Sequence, residues 1–176
     1  GIARAAYVNI KAGKIVQGGS TITQQLAKNL FLTPERSFTR KLHELILSFW
    51  LEMRFTKQQI LSIYLNRVYL GSGTYGVQAA SEKYFNKKVE ELNLYECALI
   101  ASLLKAPSRY NPISNQNLSR TRTSKVLENM AKNRLITVKS VRDAKLNNKK
   151  YDKFTSAPKS TRYFVDWLLP RLKSYL

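Results

Sequence analysis

Helix-start signals recur along this chain at spacings that leave little room for strands. Thr21 and Gln24, Thr56 and Gln59, and Asn93 and Glu96 each stand three residues apart. At that spacing one side chain caps a first helical turn and the other reaches back to the cap. Thr33-Pro34-Glu35 adds a capping Thr, Pro at the first helical position and an acid in the first turn. Behind these starts, apolar residues recur with the helical period: Leu42, Leu45, Ile46, Phe49 and Met53 form one stripe, and Ile60, Leu61, Tyr64, Leu65 and Val68 follow Thr56. Alternating β-rich runs are scarce, so the pattern predicts an all-α fold.

Further helices are expected over Val77–Phe85, with Asn86 in the left-handed position that ends it, and from Asn93 through Leu104 up to Pro107. Basic helices are expected near 118–134 and 137–146, and an amphipathic segment at 163–169. Leu70–Gly76 is a glycine-rich loop without the G-x-G-x-x-G spacing, and it follows a helix rather than a strand. The opening residues read as helix, with Lys11–Lys14 as a turn.

A length of 176 residues suits one domain, or one domain plus a tail. The formal charge of +19 predicts attraction to an anion: nucleic acid, a phosphate-bearing lipid surface or a diphosphate substrate. The charge is uneven. Residues 107–176 hold 16 Lys/Arg against four acids, and residues 1–106 hold 14 against seven, which makes the last third the better candidate for nonspecific surface contact. A single cysteine excludes an internal disulfide and a Cys-based zinc site. Cys97 lies in the run Cys97-Ala98-Leu99-Ile100-Ala101 and reads as a buried structural thiol. No apolar stretch reaches the ~20 residues of a membrane span.

Two stretches carry the chemistry. In Gly18-Gly19-Ser20-Thr21-Ile22-Thr23-Gln24-Gln25, glycines free the backbone to turn and hydroxyl residues open a helix whose N-terminus suits an anion, with Lys28 in reach of the same face. In the next helix Arg36, Arg40, Glu44 and Ser48 fall four apart, and Lys41 lies three residues before Glu44. A carboxylate among these cations suits an electrostatic or metal-assisting role better than proton donation. Ser20, Gln25, Lys28, Arg36, Arg40 and Lys41 would form a diphosphate clamp. His43, the only histidine, points about 100° from Glu44 on a helix, and without a second His or Cys no protein-built metal site is expected. Phe49, Trp50 and the ten tyrosines read as packing residues.

These segments, in their order, resemble the peptidoglycan glycosyltransferases of family 51, found alone or as the first domain of class A penicillin-binding proteins. The match runs from GGSTITQQ at 18–25 through Arg40-Lys41-Leu42-His43-Glu44 and Glu52, then Lys57 to Asn66, Tyr69-Leu70-Gly71, and Ala106-Pro107-Ser108 with Tyr110-Asn111-Pro112. The resemblance implies a lysozyme-like helical domain at the outer face of the bacterial cytoplasmic membrane. There it would polymerise lipid II into glycan strands with inversion, undecaprenyl diphosphate being the leaving group. Glu44 matches the second of the family's two glutamates, which helps the diphosphate leave, directly or through a divalent cation (Mg or Mn). Ser20, Thr21, Gln25, Lys28, Arg36, Arg40 and Lys41 match the donor-binding positions that moenomycin also occupies.

The resemblance further implies partition into 1–135, a glycosyltransferase domain lacking its first motif, and 136–176, a basic helical segment leading toward a transpeptidase domain. Its general-base glutamate would lie before Gly1, so residues 1–176 alone are expected not to polymerise lipid II. Lipid II, the growing glycan and the membrane surface are the implied partners, with no organic cofactor and no nucleic acid. Two alternatives compete: a catalytically dead lipid-diphosphate-binding or scaffolding fragment, and a basic nucleic-acid-binding module with strongly salt-dependent affinity.

Overall fold

A computed structural model describes residues 7, 10–13, 19–31 and 37–146. Their regular structure is helical apart from one isolated bridge between Tyr69 and Tyr75, and they divide into two compact units, 1–68 and 69–176. The expected segment at 163–169 lies outside the described residues.

The first unit holds α1 (Ile22–Phe31), α2 (Phe38–Arg54) and α3 (Lys57–Arg67). Thr21 opens α1 as its spacing predicts: Thr21 Oγ1 accepts from the Gln24 N–H (3.1 Å), and the Gln24 side chain accepts from the Thr21 N–H (3.3 Å). Thr56 and Gln59 form the same reciprocal cap on α3. Helix α2 starts later than Thr33-Pro34-Glu35 suggests. Ser37 is extended (φ −134°, ψ 158°) and its side chain accepts from the Arg40 N–H, so the helix begins at Phe38. Residues 32–36, Arg36 among them, lie outside the described residues.

Packing of α1 on α2 and α3 buries Leu26, Ala27, Leu51, Ile60 and Tyr64. It also decides which face of α2 turns inward. The face turned inward carries Glu44, Ser48 and Leu51, whereas Leu42, Phe49 and Met53 are 57%, 67% and 63% exposed. Phe49 and Trp50, read as packing residues, are both exposed. Periodicity identifies a stripe but not the side of the helix that meets its neighbours. Here Glu44 is held inside by ion pairs, and the apolar stripe faces out.

The second unit begins with a tight turn in which the Leu70 N–H donates to Thr74 O and the Thr74 N–H to Gly71 O, both 2.9 Å. It continues through α4 (Val77–Phe85), a 3-10 turn (Val89–Glu91), α5 (Leu94–Leu103), α6 (Gln116–Lys132) and α7 (Val138–Leu146). Asn86 ends α4 in the left-handed conformation expected of it (φ 53°, ψ 44°). Helix α5 is apolar nearly all round and buries Tyr95, Ala98, Leu99, Ile100 and Leu103. Its main partner is the strongly basic α6, which presents Ser119, Thr123 and Leu127 four residues apart, all fully buried. Two small side chains in that row let the polar helix lie close against the apolar one.

Cys97 departs from its expected burial. The inward face of α5 holds Tyr95 and Glu96 on one side and Ala98 and Leu99 on the other, which leaves Cys97 exposed. Its thiol pKa is nevertheless raised, first by partial burial of the sulfur against the protein and then by the Glu96 carboxylate. Iodoacetamide is therefore expected to label Cys97 in the folded chain, more slowly at pH 7.5 than it labels N-acetylcysteine. A rate equal to the free thiol would show that the sulfur is fully solvated, and no labelling would show that it is buried.

Candidate functional site

The first turn of α1 and the first two turns of α2 enclose a cationic basin of about 150 Å³, lined by Ser20, Gln24, Gln25, Lys28, Arg40, Lys41 and Glu44. Pockets for whole drug-sized ligands run to ~300–1,000 Å³, so this basin has room for a charged group but not for a sugar with its substituents.

Glu44 organises it. Only 3% of the residue is exposed, and its two carboxylate oxygens are taken by different cations: Oε1 by the Arg40 guanidinium, Oε2 by Lys41 Nζ at 2.6 Å. These partners lie four and three residues back on the same helix, where side chains share a face. Lys41 also donates to Ser20 Oγ (2.9 Å), tying α2 to the residues that precede α1. A buried carboxylate is costly unless paired, and breaking such a pair costs more than the pair itself contributes. Glu44 thus holds Arg40 and Lys41 in fixed positions at the basin wall.

The basin carries Lys28, Arg40 and Lys41 against one carboxylate, and the N-terminal dipole of α1 adds to the positive side. Arg40 Nε is buried and has no hydrogen-bond partner. A buried donor left unpaired costs ~1–3 kcal/mol. Gln25 is oriented from the other side: the Tyr64 hydroxyl donates to its Oε1 (3.2 Å), which leaves the amide N–H groups as the donor end. Burial raises the Tyr64 pKa and keeps that hydroxyl a donor.

Of the residues singled out from sequence, Ser20, Gln25, Lys28, Arg40, Lys41 and Glu44 converge here. Thr21 caps α1 and is not among the lining residues, and Arg36 lies outside the described residues. Gln24 lines the basin although sequence reasoning assigned it only to the cap; its side chain does both, because the capping oxygen sits at the basin edge. His43 is exposed on α2 and does not line the basin. Glu52 accepts from Thr23 Oγ1 (2.7 Å) and so braces α1 against α2 elsewhere.

The described residues thus place a cation-flanked buried glutamate beside a helix N-terminus in an all-α framework. The chain belongs to the transglycosylase family, whose model matches residues 1–131. It is 48% identical over 176 residues to penicillin-binding protein 1A of Aquifex aeolicus, a match covering 99% of this chain and 23% of that protein. It is 50% identical over 129 residues to penicillin-binding protein 1A of Pseudomonas aeruginosa, covering 73% of this chain and 16% of the relative. A crystal structure of penicillin-binding protein 1A from Haemophilus influenzae matches with a TM-score of 0.52 and 27% identity, over 86% of this chain and 20% of that one. The chain thus spans less than a quarter of the length of these relatives.

Proposed function

We propose that the Glu44 basin holds the diphosphate of a lipid-linked disaccharide donor, lipid II or the growing glycan, and that the chain is the donor-site part of a peptidoglycan glycosyltransferase. The observation that carries this reading is the gathering of Lys28, Arg40 and Lys41 about the buried Glu44 in a basin sized for phosphate groups. Three cations facing one carboxylate match the roughly two negative charges of a diphosphate diester.

In the reaction, the acceptor hydroxyl gives its proton to a base other than Glu44 and attacks the anomeric carbon, the C1–O bond to the diphosphate breaks, and its electron pair stays on the diphosphate oxygen. Arg40 and Lys41, fixed by Glu44, stand where that charge develops, and preorganised charge of this kind is the largest usual contribution to such a step. Gln25 and Ser20 add neutral donors at the wall. Glu44, already shared between two cations, serves the leaving side rather than removing the acceptor's proton. Among the described residues no three of His, Cys, Asp and Glu gather to hold a metal. Mg²⁺ at phosphates makes do with one or two carboxylates, so the donor set fits a divalent cation only as one carried in by the diphosphate and touching Glu44; no step above depends on it.

The same unit offers an apolar surface for a lipid-bearing substrate: Leu42, Leu45, Ile46, Phe49 and Met53 of α2 are exposed in one stripe. No helix among the described residues is long and apolar enough to cross a membrane. We read the stripe and the charge as suiting the outer face of the cytoplasmic membrane rather than nucleic acid. A transpeptidase partner domain rests on the likeness to penicillin-binding proteins alone.

Calorimetric titration of residues 1–176 with a short-chain prenyl diphosphate in detergent tests the reading. Arg40→Gln is expected to weaken binding about tenfold, the loss of a charge-assisted contact. Equal affinities for the two proteins, or no saturable binding to the parent chain, would overturn it.

A further inference from the structure

A second cavity lies wholly within the unit formed by residues 69–176. It measures about 510 Å³ and is lined by Tyr110, Leu118, Thr121, Arg122, Ser124 and Lys125, with Glu128 also at its wall. Nothing in the donor-site reading uses these residues.

The turn that carries Tyr110 is rigidly built. The Tyr110 N–H donates to Ala106 O (3.0 Å), Asn111 Nδ2 donates to Ser72 Oγ (2.6 Å), and the Ile113 N–H donates to Asn111 Oδ1 (2.9 Å). Two guanidinium groups, Arg109 and Arg122, each lie 5.8 Å from the Tyr110 ring centroid. The ring thus lies beside Arg122, which α6 delivers to the cavity wall. Arg122 Nε is buried and has no hydrogen-bond partner.

The carboxylate at the wall does not neutralise it. Glu128 accepts from Lys145 Nζ at 2.9 Å, while Lys125 stands 3.8 Å from its other oxygen. Lys145 on α7 therefore commits Glu128 away from Arg122. What lines the cavity is the Arg122 guanidinium, the Lys125 ammonium 3.8 Å from Glu128, and the hydroxyls of Thr121 and Ser124. Leu118 and Tyr110 provide apolar wall for whatever carries the anion. A phosphate group, with two free oxygens and one charge as a diester or three and a charge near −2 as a monoester, suits this set of cations and hydroxyl donors.

We propose that the Tyr110–Arg122–Lys125 cavity is a second anion site that binds a phosphate group, separate in its residues from the Glu44 basin. Its source is either a soluble phosphate compound or the headgroup of an anionic phospholipid, and the two arms of the experiment separate these.

In the first arm, ¹⁵N-labelled 1–176 is titrated with inorganic phosphate at constant ionic strength set with chloride. The Arg122 Nε–H resonance and the backbone amides of 121–125 are expected to shift and saturate. Arg122→Gln removes the saturation, and Lys125→Gln, at an exposed position, weakens binding about threefold to tenfold. Amides near Arg40 and Lys41 report the donor basin separately, so the failure of one site does not mask the other. In the second arm, flotation on vesicles of phosphatidylglycerol and of phosphatidylcholine is compared for the parent chain and Arg122→Gln. A loss of phosphatidylglycerol binding in the variant assigns a lipid headgroup; unchanged flotation with saturable phosphate shifts assigns a soluble phosphate. The proposal is overturned if phosphate produces only the shifts chloride produces and Arg122→Gln leaves vesicle binding unchanged.

Discussion

Replacing Glu44 by Gln, in a chain that polymerises the lipid-linked donor, is expected to lower kcat by about 100- to 1000-fold while leaving KM within a few-fold of its original value or lowering it. The reason lies in what Glu44 touches. Its two oxygens hold Arg40 and Lys41, and Lys41 reaches on to Ser20. Removing the charge makes the basin more positive, so the ground-state diphosphate still binds. The freed cations then settle on the bound phosphates instead of waiting where charge develops as the C1–O bond breaks. Glutamine keeps the volume at this buried site but unpairs two cations, so some loss of stability is expected beside the larger loss of rate. A general-acid role for Glu44 would instead leave activity recoverable at low pH in the parent enzyme, and a purely structural role would lower the melting temperature in step with the rate. A large rise in KM at unchanged kcat would overturn the positioning account.

Gly71→Ala is expected to cost about 3 kcal/mol and to lower the melting temperature by about 10 °C. Gly71 adopts φ +91°, where a side chain is strained whatever the space around it. The space is also occupied: a Cβ there would stand 3.0 Å from Tyr84 Oη and 3.1 Å from Pro107 O. Tyr84 cannot easily yield, because its buried hydroxyl donates to Leu70 O at 2.8 Å. Burial pushes that phenol's pKa up to about 12, with Ser72 pulling slightly the other way and Tyr69 adding a little to the rise. The double variant Gly71→Ala with Tyr84→Phe is expected to lose less than the sum of the two single losses, since removing the hydroxyl opens the contact that the methyl group meets. Additive losses would show that backbone strain alone sets the cost. Asn86, at φ 53°, is the contrasting position: it already tolerates a side chain in the left-handed region, and Asn86→Gly should change stability by only a few tenths of a kcal/mol.

Much of the local architecture follows from side chains within four residues of one another. The reciprocal caps at Thr21/Gln24, Thr56/Gln59 and Asn93/Glu96 form as their spacing requires. The pairing of Glu44 with Arg40 and Lys41 is of the same kind, since helix geometry brings such neighbours together before any tertiary contact exists. The exposed place of Cys97 was not legible in that way. Its apolar neighbours conceal which side of α5 meets α6, and the inward side includes the charged Glu96, whose carboxylate accepts from Lys87 Nζ at 2.7 Å and from the Asn93 N–H at 2.7 Å.

The sequence by itself determined that the chain is helical, where most of its helices begin, and that a hydroxyl-rich helix start and a cation-flanked glutamate are present, because each depends on short-range geometry. Only the tertiary structure decided that these two features share one basin, that Gln25 is aimed by Tyr64, that Arg40 and Arg122 keep unused buried donors, and that the apolar stripe of α2 faces outward. The physical reason is the same in each case: a helix of mixed character has two faces that its own sequence can describe, and which one turns inward depends on the partners that segments far along the chain bring to it.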